Sequence, residues 1–331
     1  MSEVKVSYRG DGVEQKPTPS YSPIVDLHRP EDYVADQGLV DAVNVAVTLG
    51  MPLLVTGEPG TGKTALAKSV AHEVGAGKPL EFSAKTTSTA QDLFYRYDAL
   101  RHFRDSRFEE TKNKPITDYI DFEALGIATL LSMPRELADR RLPKKYHGIA
   151  PRRSVVLIDE IDKAPRDLPN DILREIETMS FTVRESGETF PGDSDRIDAR
   201  YRPIVILTSN SEKTLPNAFL RRCVYYHIPA PTAAQLEQIV AKRFRTASVK
   251  LADGQIKTAV ELFEEIRSID GLRKKPATAE LLMWLQLLTE RNADPALVRR
   301  DRRAADLAAS VLTKTSDDAD QVRAKLLKKS G

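Results

Sequence analysis

The sequence contains a single cysteine, Cys223, among 331 residues. One thiol cannot form an internal disulfide, which excludes a disulfide-stapled fold. Long apolar runs are also missing: a membrane-spanning helix needs about 18 such residues, and the best candidate, Leu281 to Leu288, is interrupted by Gln286. The N-terminus, Met1 to Val6, lacks the apolar core of a secretory signal. We therefore expect a cytoplasmic protein.

A strong charge of either sign is absent as well, because 50 Lys and Arg stand against 48 Asp and Glu. Because the two numbers are nearly equal, the overall electrostatic field of the protein predicts neither nucleic-acid binding nor membrane binding. The five histidines lack metal-ligand spacing, and we find no Ser-His-Asp or Cys-His arrangement. With 41% hydrophobic and 30% charged residues, the composition is that of a globular protein long enough for two domains.

The octapeptide GEPGTGKT at residues 57–64 follows a short apolar run. Its glycines let backbone N–H groups surround a phosphate chain without interference from a Cβ atom. Its lysine reaches the β- and γ-phosphates, its threonine ligates Mg²⁺, and the helix expected next turns its positive end toward the same anion. A glycine–proline turn without a ligand is the alternative. We assign nucleotide binding to Gly57, Glu58, Pro59, Gly60, Thr61, Gly62, Lys63, Thr64 and Ala65.

Two adjacent carboxylates, Asp159 and Glu160, end the apolar run at residues 154–158. Hydrolysis of a nucleotide needs Mg²⁺ held opposite the P-loop and a polarised water molecule. We assign Asp159 to the metal, together with Thr64, and Glu160 to the general base next to the γ-phosphate. A solvated strand end is the alternative for this pair.

Hydrophobic patterning predicts an α/β fold: a P-loop core with a parallel sheet flanked by helices, and a small C-terminal α-helical lid domain. Buried strands are expected near residues 51–55, 79–83, 154–158, 203–208 and 224–228, and a hairpin over residues 181–190. Helices are expected over residues 33–49, 121–131 and 171–179, and later over residues 232–244, 255–269, 278–290, 296–312 and 317–329. The predicted domains are an extended arm (1–30), the nucleotide-binding domain (31–230) and the lid (231–331).

Four motifs occur in the order typical of AAA+ ATPases: GEPGTGKT at 57–64, VVLIDEID at 155–162, LTSN at 207–210 and LRRC at 220–223. More narrowly, the chain resembles the MoxR group, in the clade with an insert in helix 2 and a hairpin before the sensor 1 strand. The resemblance covers about residues 33–290. It implies that Asn210 is sensor 1 and orients the attacking water; an asparagine that only ends a strand in a turn is the alternative.

The same resemblance implies an arginine finger that reaches the active site of a neighbouring subunit. The motif favours Arg222 as the finger, and Arg221 is the other candidate. Alternatively, either residue forms a surface salt bridge. A finger that acts between subunits implies a homo-oligomer, which would be a hexameric ring. The resemblance also implies ATP and Mg²⁺ as cofactors. Sensor 2 would be Arg273 or Lys275, although this stretch departs from the usual pattern and both are alternatively solvent-exposed.

Two segments fall where the clade carries its inserted elements, residues 86–97 and 181–190. We expect both to face the axial channel or the upper surface of the ring and to move with nucleotide state. Alternatively, Phe94, Tyr95 and Tyr97 pack the insert onto the body of the domain. The charged segment from Arg101 to Lys145 is expected to be a solvated face.

These assignments predict Mg²⁺-dependent ATP hydrolysis that drives remodelling or chaperone-like maturation of a protein client. In families that resemble this one, the client is often a von Willebrand factor A domain protein or a metalloenzyme. Two alternatives remain: a nucleic-acid-handling motor, which near-neutral charge disfavours, and a GTP-driven ring like those of restriction systems. The sequence does not identify the client.

Overall fold

A computed structural model describes residues 29–108, 113–192, 197–211, 215–245, 252–291 and 293–327. Nearly all of the expected N-terminal arm, residues 1–28, lies outside these ranges. The chain divides into two compact units, an α/β unit of residues 30–236 with 277–279, and a helical unit of residues 237–276 and 280 onward. No helix within the described ranges has the length and apolar composition needed to cross a membrane.

The α/β unit alternates strands and helices in this order: α1 (Gln37–Leu49), β1 (Leu53–Gly57), α2 (Lys63–Glu73), β2 (Leu80–Ser83), β3 (Tyr95–Tyr97), α3 (Ala99–Asp105), β4 (Ile120–Phe122), α4 (Ala124–Leu131), α5 (Arg135–Ala138), β5 (Val155–Asp159), α6 (Leu168–Asp171), α7 (Leu173–Thr178), β6 (Phe181–Thr182), β7 (Thr189–Phe190), β8 (Ile204–Ser209), α8 (Asn217–Leu220) and β9 (Val224–Ile228).

The main sheet has five parallel strands in the order β2-β5-β8-β1-β9, which confirms the predicted parallel sheet. Successive side chains of a strand point to opposite faces, and here both faces are covered. Val156 and Ile158 of β5 belong to one apolar core with α4 and α7. Val155 and Leu157 belong to the other, with α1 and α2. Burial on both faces explains the continuous apolar runs of these strands.

Helix α1 begins four residues later than the pattern from Tyr33 suggests, because Asp36 is its N-cap. The Asp36 carboxylate accepts hydrogen bonds from the Leu39 N–H (2.9 Å) and from the Tyr226 hydroxyl of β9 (2.6 Å). Burial and this carboxylate raise the pKa of Tyr226 to about 12. The helix ends at Leu49, and its C-cap Gly50 closes the last turn with a left-handed backbone (φ 64°).

The insert between β2 and α4 is larger than residues 86–97. Strand β3 pairs antiparallel with β4, with α3 between them. The helix expected over residues 121–131 therefore begins only at Ala124, because Asp121 and Phe122 are taken up by β4. Phe94 and Tyr95 are buried, so they pack the insert onto the body of the unit. The backbone of Phe94 also lies against α4: a Cβ atom on Gly126 would stand 2.0 Å from the Phe94 carbonyl oxygen.

The predicted hairpin is confirmed as β6 paired with β7, with Phe181 opposite Phe190. Its aromatic residues join those of the insert. Phe181 stacks on Phe94 with ring centroids 4.9 Å apart, and Phe122 stands edge-on to Phe181 (6.2 Å) and Phe190 (5.7 Å). We call Phe94, Phe122, Phe181 and Phe190 the aromatic cluster. The insert and the hairpin thus share one packed core.

The remaining elements are helices, as predicted: α9 (Ala233–Phe244), α10 (Asp253–Arg267), α11 (Thr278–Arg291), α12 (Arg302–Leu312) and α13 (Ser316–Leu327). The helix expected over residues 296–312 is divided, because residues 295–299 form a 3₁₀ turn. Asp301 then caps α12 by accepting the Arg303 N–H at 2.8 Å. Likewise α6 and α7 divide the helix expected near residues 171–179.

Replacing the central ring of the aromatic cluster should destabilise the α/β unit. We expect Phe181→Ala to lower the free energy of unfolding by about 3–5 kcal/mol, the usual loss for a buried phenylalanine. Phe103→Ala is the matched control, since Phe103 is 58% exposed, and it should cost about 0.5 kcal/mol or less. Urea unfolding of the full chain measures both variants. Equal losses would contradict the shared core.

Candidate active site

The P-loop connects the end of β1 to the start of α2 over the sheet edge formed by strand carboxyl ends. Its glycines are required by the backbone itself. Gly60 (φ 78°) and Gly62 (φ 93°) lie in the left-handed region, which side-chain-bearing residues rarely adopt. A Cβ atom on Gly57 would stand 2.7 Å from the carbonyl oxygen of Ile228. The loop therefore has the open backbone needed to surround a phosphate.

Lys63, the first residue of α2, is buried and turned into the loop. Its Nζ donates hydrogen bonds to the carbonyl oxygens of Gly57 (2.7 Å) and Glu58 (3.0 Å). Burial lowers its pKa, and the carboxylate of Asp159 is the largest influence in the opposite direction. An ammonium whose hydrogen bonds go to neutral carbonyl oxygens gains from an anionic acceptor, so this lysine is suited to bind phosphate oxygens.

Thr64 and Asp159 come together as the sequence predicts. The Thr64 hydroxyl lies 3.2 and 3.3 Å from the two carboxylate oxygens of Asp159. Mg²⁺ prefers oxygen ligands, and at nucleotide sites it is held by one or two carboxylates, substrate phosphates and water. These two side chains fit that chemistry. Mg²⁺ takes six oxygen ligands, so with these two from the protein the others would come from phosphate and water. Within the described ranges no group of three or more His, Cys, Asp or Glu forms a metal site.

Glu160 follows directly after β5 in an unusual backbone conformation, φ 56° and ψ 47°. Its N–H donates to the hydroxyl oxygen of Thr208 at 2.9 Å. Its carboxylate accepts a hydrogen bond from the ammonium of Lys163 at 2.5 Å, and this bond raises the pKa of Lys163. The turn therefore sends the Glu160 side chain away from the strand, with Lys163 as its partner in this state.

Asn210 directly follows β8 and is exposed. Its N–H donates to the Asp162 carboxylate at 3.3 Å, which connects the ends of β5 and β8. This backbone contact brings Asn210 close to the acidic turn, and its role in orienting water stays a prediction.

The two arginines follow α8. Arg222 has an ion-pair partner in its own chain, Glu177 of α7, with Nε 3.3 Å from Oε1 and both side chains about half exposed. Arg221 is exposed. Neither arginine is enclosed, so both can reach a second molecule. Cys223, the next residue, is buried, and burial raises the pKa of its thiol to about 12.

In the helical unit, the candidate sensor 2 residues lie just before α11. The guanidinium of Arg273 pairs with Asp317 at 2.6 Å. The backbone N–H of Arg273 donates to the carboxylate of the fully buried Asp318 at 2.8 Å. Lys275 is exposed. The segment is therefore anchored to α13 through its backbone, and the choice between Arg273 and Lys275 stays a prediction.

Three contacting residues were missed by the sequence analysis: Thr208, Asp162 and Lys163. Asp162 and Lys163 stand inside the segment that begins with the two carboxylates, so their closeness in sequence was a usable signal. Thr208 and Ser209 end a strand whose first four residues are apolar, and these two hydroxyls near the strand end are the only hint.

Comparison with known proteins identifies the family to which the sequence is similar. The model of the ATPase family associated with various cellular activities (AAA) matches residues 53–230. The ATP-dependent zinc metalloprotease FtsH of Corynebacterium glutamicum is 29% identical over 191 residues, which are 51% of this chain and 22% of FtsH. The chain thus spans about a fifth of that relative's length.

Among solved structures, the P216G mutant of Thermotoga maritima RuvB is 15% identical, with a TM-score of 0.45, over 89% of this chain and 71% of RuvB. The T. maritima RuvB Holliday junction branch migration motor is 14% identical, with a TM-score of 0.44, over 89% and 72%. The family model covers more than half of the chain, including the P-loop, the acidic turn and both arginines. The protein therefore belongs to the AAA family of ATPases.

Proposed function

We propose that this chain is a subunit of a MoxR-like ring, a hexamer that uses Mg²⁺-dependent ATP hydrolysis to remodel a protein client. The observation that carries the proposal is the aromatic cluster, which joins the insert and the hairpin. These are the two elements that distinguish the clade resembled by this chain from other members of the superfamily. A motor needs such a body to transmit nucleotide-dependent movement.

In the proposed reaction, the P-loop N–H groups and Lys63 would hold the phosphates, and Thr64 and Asp159 would hold Mg²⁺. When bound, the metal would supply positive charge against the negative charge that develops on the transferred phosphoryl group. Glu160 accepts the proton of the attacking water, which Asn210 orients. Before this step Glu160 must exchange Lys163 for water, and Lys63 must leave the carbonyl oxygens of Gly57 and Glu58.

The finger position is connected to the hairpin through α7. Glu177, the partner of Arg222, is the penultimate residue of α7, and β6 begins four positions later. Arg202 holds this helix end, because its guanidinium donates to the carbonyl oxygens of Ile176 (3.1 Å) and Glu177 (2.8 Å). A γ-phosphate in a neighbouring subunit would compete with Glu177 for Arg222, and this exchange would change the restraint on the hairpin.

A protein client is favoured by the outer face of α3. Three large apolar side chains are exposed within nine residues, Leu100 (82%), Phe103 (58%) and Phe108 (60%). Arg107 lies over the Phe103 ring, 4.3 Å from its centroid. Clustered apolar and arginine side chains are typical of protein interfaces. Residues 95–122 contain six Lys or Arg and six Asp or Glu, so the insert lacks the excess positive charge that a phosphate backbone attracts.

The ring and its finger can be tested by the solution mass of Glu160→Gln. Loss of the general base should lower ATP turnover about 10²- to 10⁴-fold. It should also trap the ATP-bound assembly at six times the 36.9 kDa subunit mass. Arg222→Ala should lower turnover about 10³- to 10⁵-fold, whereas Arg221→Ala is the matched control. A mass that stays at that of one subunit with ATP bound would contradict the ring. Loss of turnover in Arg221→Ala but not in Arg222→Ala would identify Arg221 as the finger.

The client face can be tested with the same Glu160→Gln protein as bait. Leu100→Ser with Phe103→Ser should abolish ATP-dependent capture of client protein, because the exposed contact area is removed. The matched control is Val45→Ser, a 46% exposed apolar residue of α1; all these surface changes should alter stability by about 0.5 kcal/mol or less. Capture that survives the double change contradicts a client face on α3.

Two further measurements separate the alternative functions. Binding of labelled single- and double-stranded DNA that weakens steeply with salt would favour the nucleic-acid motor. Displacement of a fluorescent ATP analogue by GTP at lower concentration than by ATP would favour the GTP-driven ring.

A further inference from the structure

Thr208 occupies a position that the reaction outlined above does not use. It is the penultimate residue of β8 and is 1% exposed. Its hydroxyl donates to Oδ1 of Asp159 and accepts the N–H of Glu160 at 2.9 Å. A threonine hydroxyl has one proton to donate and lone pairs to accept. Both capacities are therefore directed at the two acidic residues.

The contact to Asp159 restricts how its carboxylate can turn. Thr64, on α2, contacts the same carboxylate from the P-loop side at 3.2 and 3.3 Å. With hydroxyls from two different elements in contact, the oxygens have a defined orientation before any metal arrives. Groups that hydrogen-bond a metal ligand in this way tune metal affinity.

The contact to Glu160 acts on its backbone. A left-handed conformation (φ 56°) is unfavourable for a residue with a Cβ atom and persists where the surroundings fix it. The Thr208 hydroxyl is the acceptor for the amide of this residue, so it holds the turn that directs the Glu160 side chain.

We propose that Thr208 is a positioning residue that sets the metal-binding carboxylate of Asp159 and the backbone turn of Glu160 through one hydroxyl. This role rests on the proposed Mg²⁺-dependent ATP hydrolysis. A buried threonine that only satisfies its own hydroxyl would affect stability and leave metal affinity unchanged, which makes the two roles separable.

The test compares Thr208→Val, which keeps the shape and removes the hydroxyl, with Thr208→Ser, which keeps the hydroxyl. Mn²⁺ replaces Mg²⁺ as a spectroscopic probe, and its affinity is measured by electron paramagnetic resonance with a non-hydrolysable ATP analogue bound. Thr208→Val should weaken Mn²⁺ binding 10- to 100-fold, and Thr208→Ser should stay within about threefold. Analogue binding in EDTA, which reports the P-loop alone, should be retained in both.

Thr129→Val is the matched control. Thr129 is equally buried, and its hydroxyl bonds the Leu125 carbonyl oxygen within α4 at 2.9 Å. It should lose stability without a change in Mn²⁺ affinity. Mn²⁺ affinity of Thr208→Val within twofold of the wild type, or an equal loss in Thr129→Val, overturns the proposal.

If Thr208→Val does not fold, Thr208→Ala takes its place. Equal Mn²⁺ affinities for the alanine and serine variants then overturn the role of the hydroxyl. Failure of the unaltered protein to bind the analogue with Mn²⁺ is a different result, because it overturns the proposed ATP hydrolysis rather than the role of Thr208.

Discussion

The parallel register of β5, β8 and β1 is the constraint on which the rest of the site depends. Ile158 pairs with Leu207, and Leu207 in turn pairs with Leu54 of β1. Because parallel strands end at the same sheet edge, this register places the P-loop, the acidic turn and Asn210 side by side. A slip of one residue would reverse the faces of the strand's side chains. Burial of both faces holds the register, so the apolar strands determine the geometry of the polar site.

A second level of organisation connects this edge to the inserted elements. Arg202 donates to the carbonyl oxygen of Gly50 as well as to the end of α7. Burial lowers the pKa of this guanidinium, and its hydrogen bonds fix the C-terminal ends of α1 and α7 together. Since α7 leads into the hairpin, and the hairpin packs on the insert through the aromatic cluster, Arg202 is connected to the insert by packed elements. The nucleotide site and the outer face of α3 are parts of one continuously packed unit.

Much of this architecture follows from the sequence because its signals are local. Glycine spacing, a long apolar strand and two carboxylates at its end predict the P-loop, the sheet and the Thr64–Asp159 contact. The insert was harder, since β3 and β4 are only three residues long and pair across the chain, so Asp121 and Phe122 resembled the start of a helix. Thr208 was missed for a related reason: its partners lie on another strand, and the register that joins them is a tertiary property. The Lys163–Glu160 pair depends on the left-handed backbone of Glu160, which its residue type does not predict.

The single buried thiol has a practical consequence. The thiolate is the form that reacts with alkylating reagents, and with a pKa of about 12 Cys223 supplies almost none at neutral pH. We therefore expect Cys223 to react slowly with such reagents while the protein is folded. A cysteine introduced at an exposed position such as Leu100 would carry a fluorophore or spin label alone, without removing the native thiol. The signal of such a label would then report on the surroundings of α3.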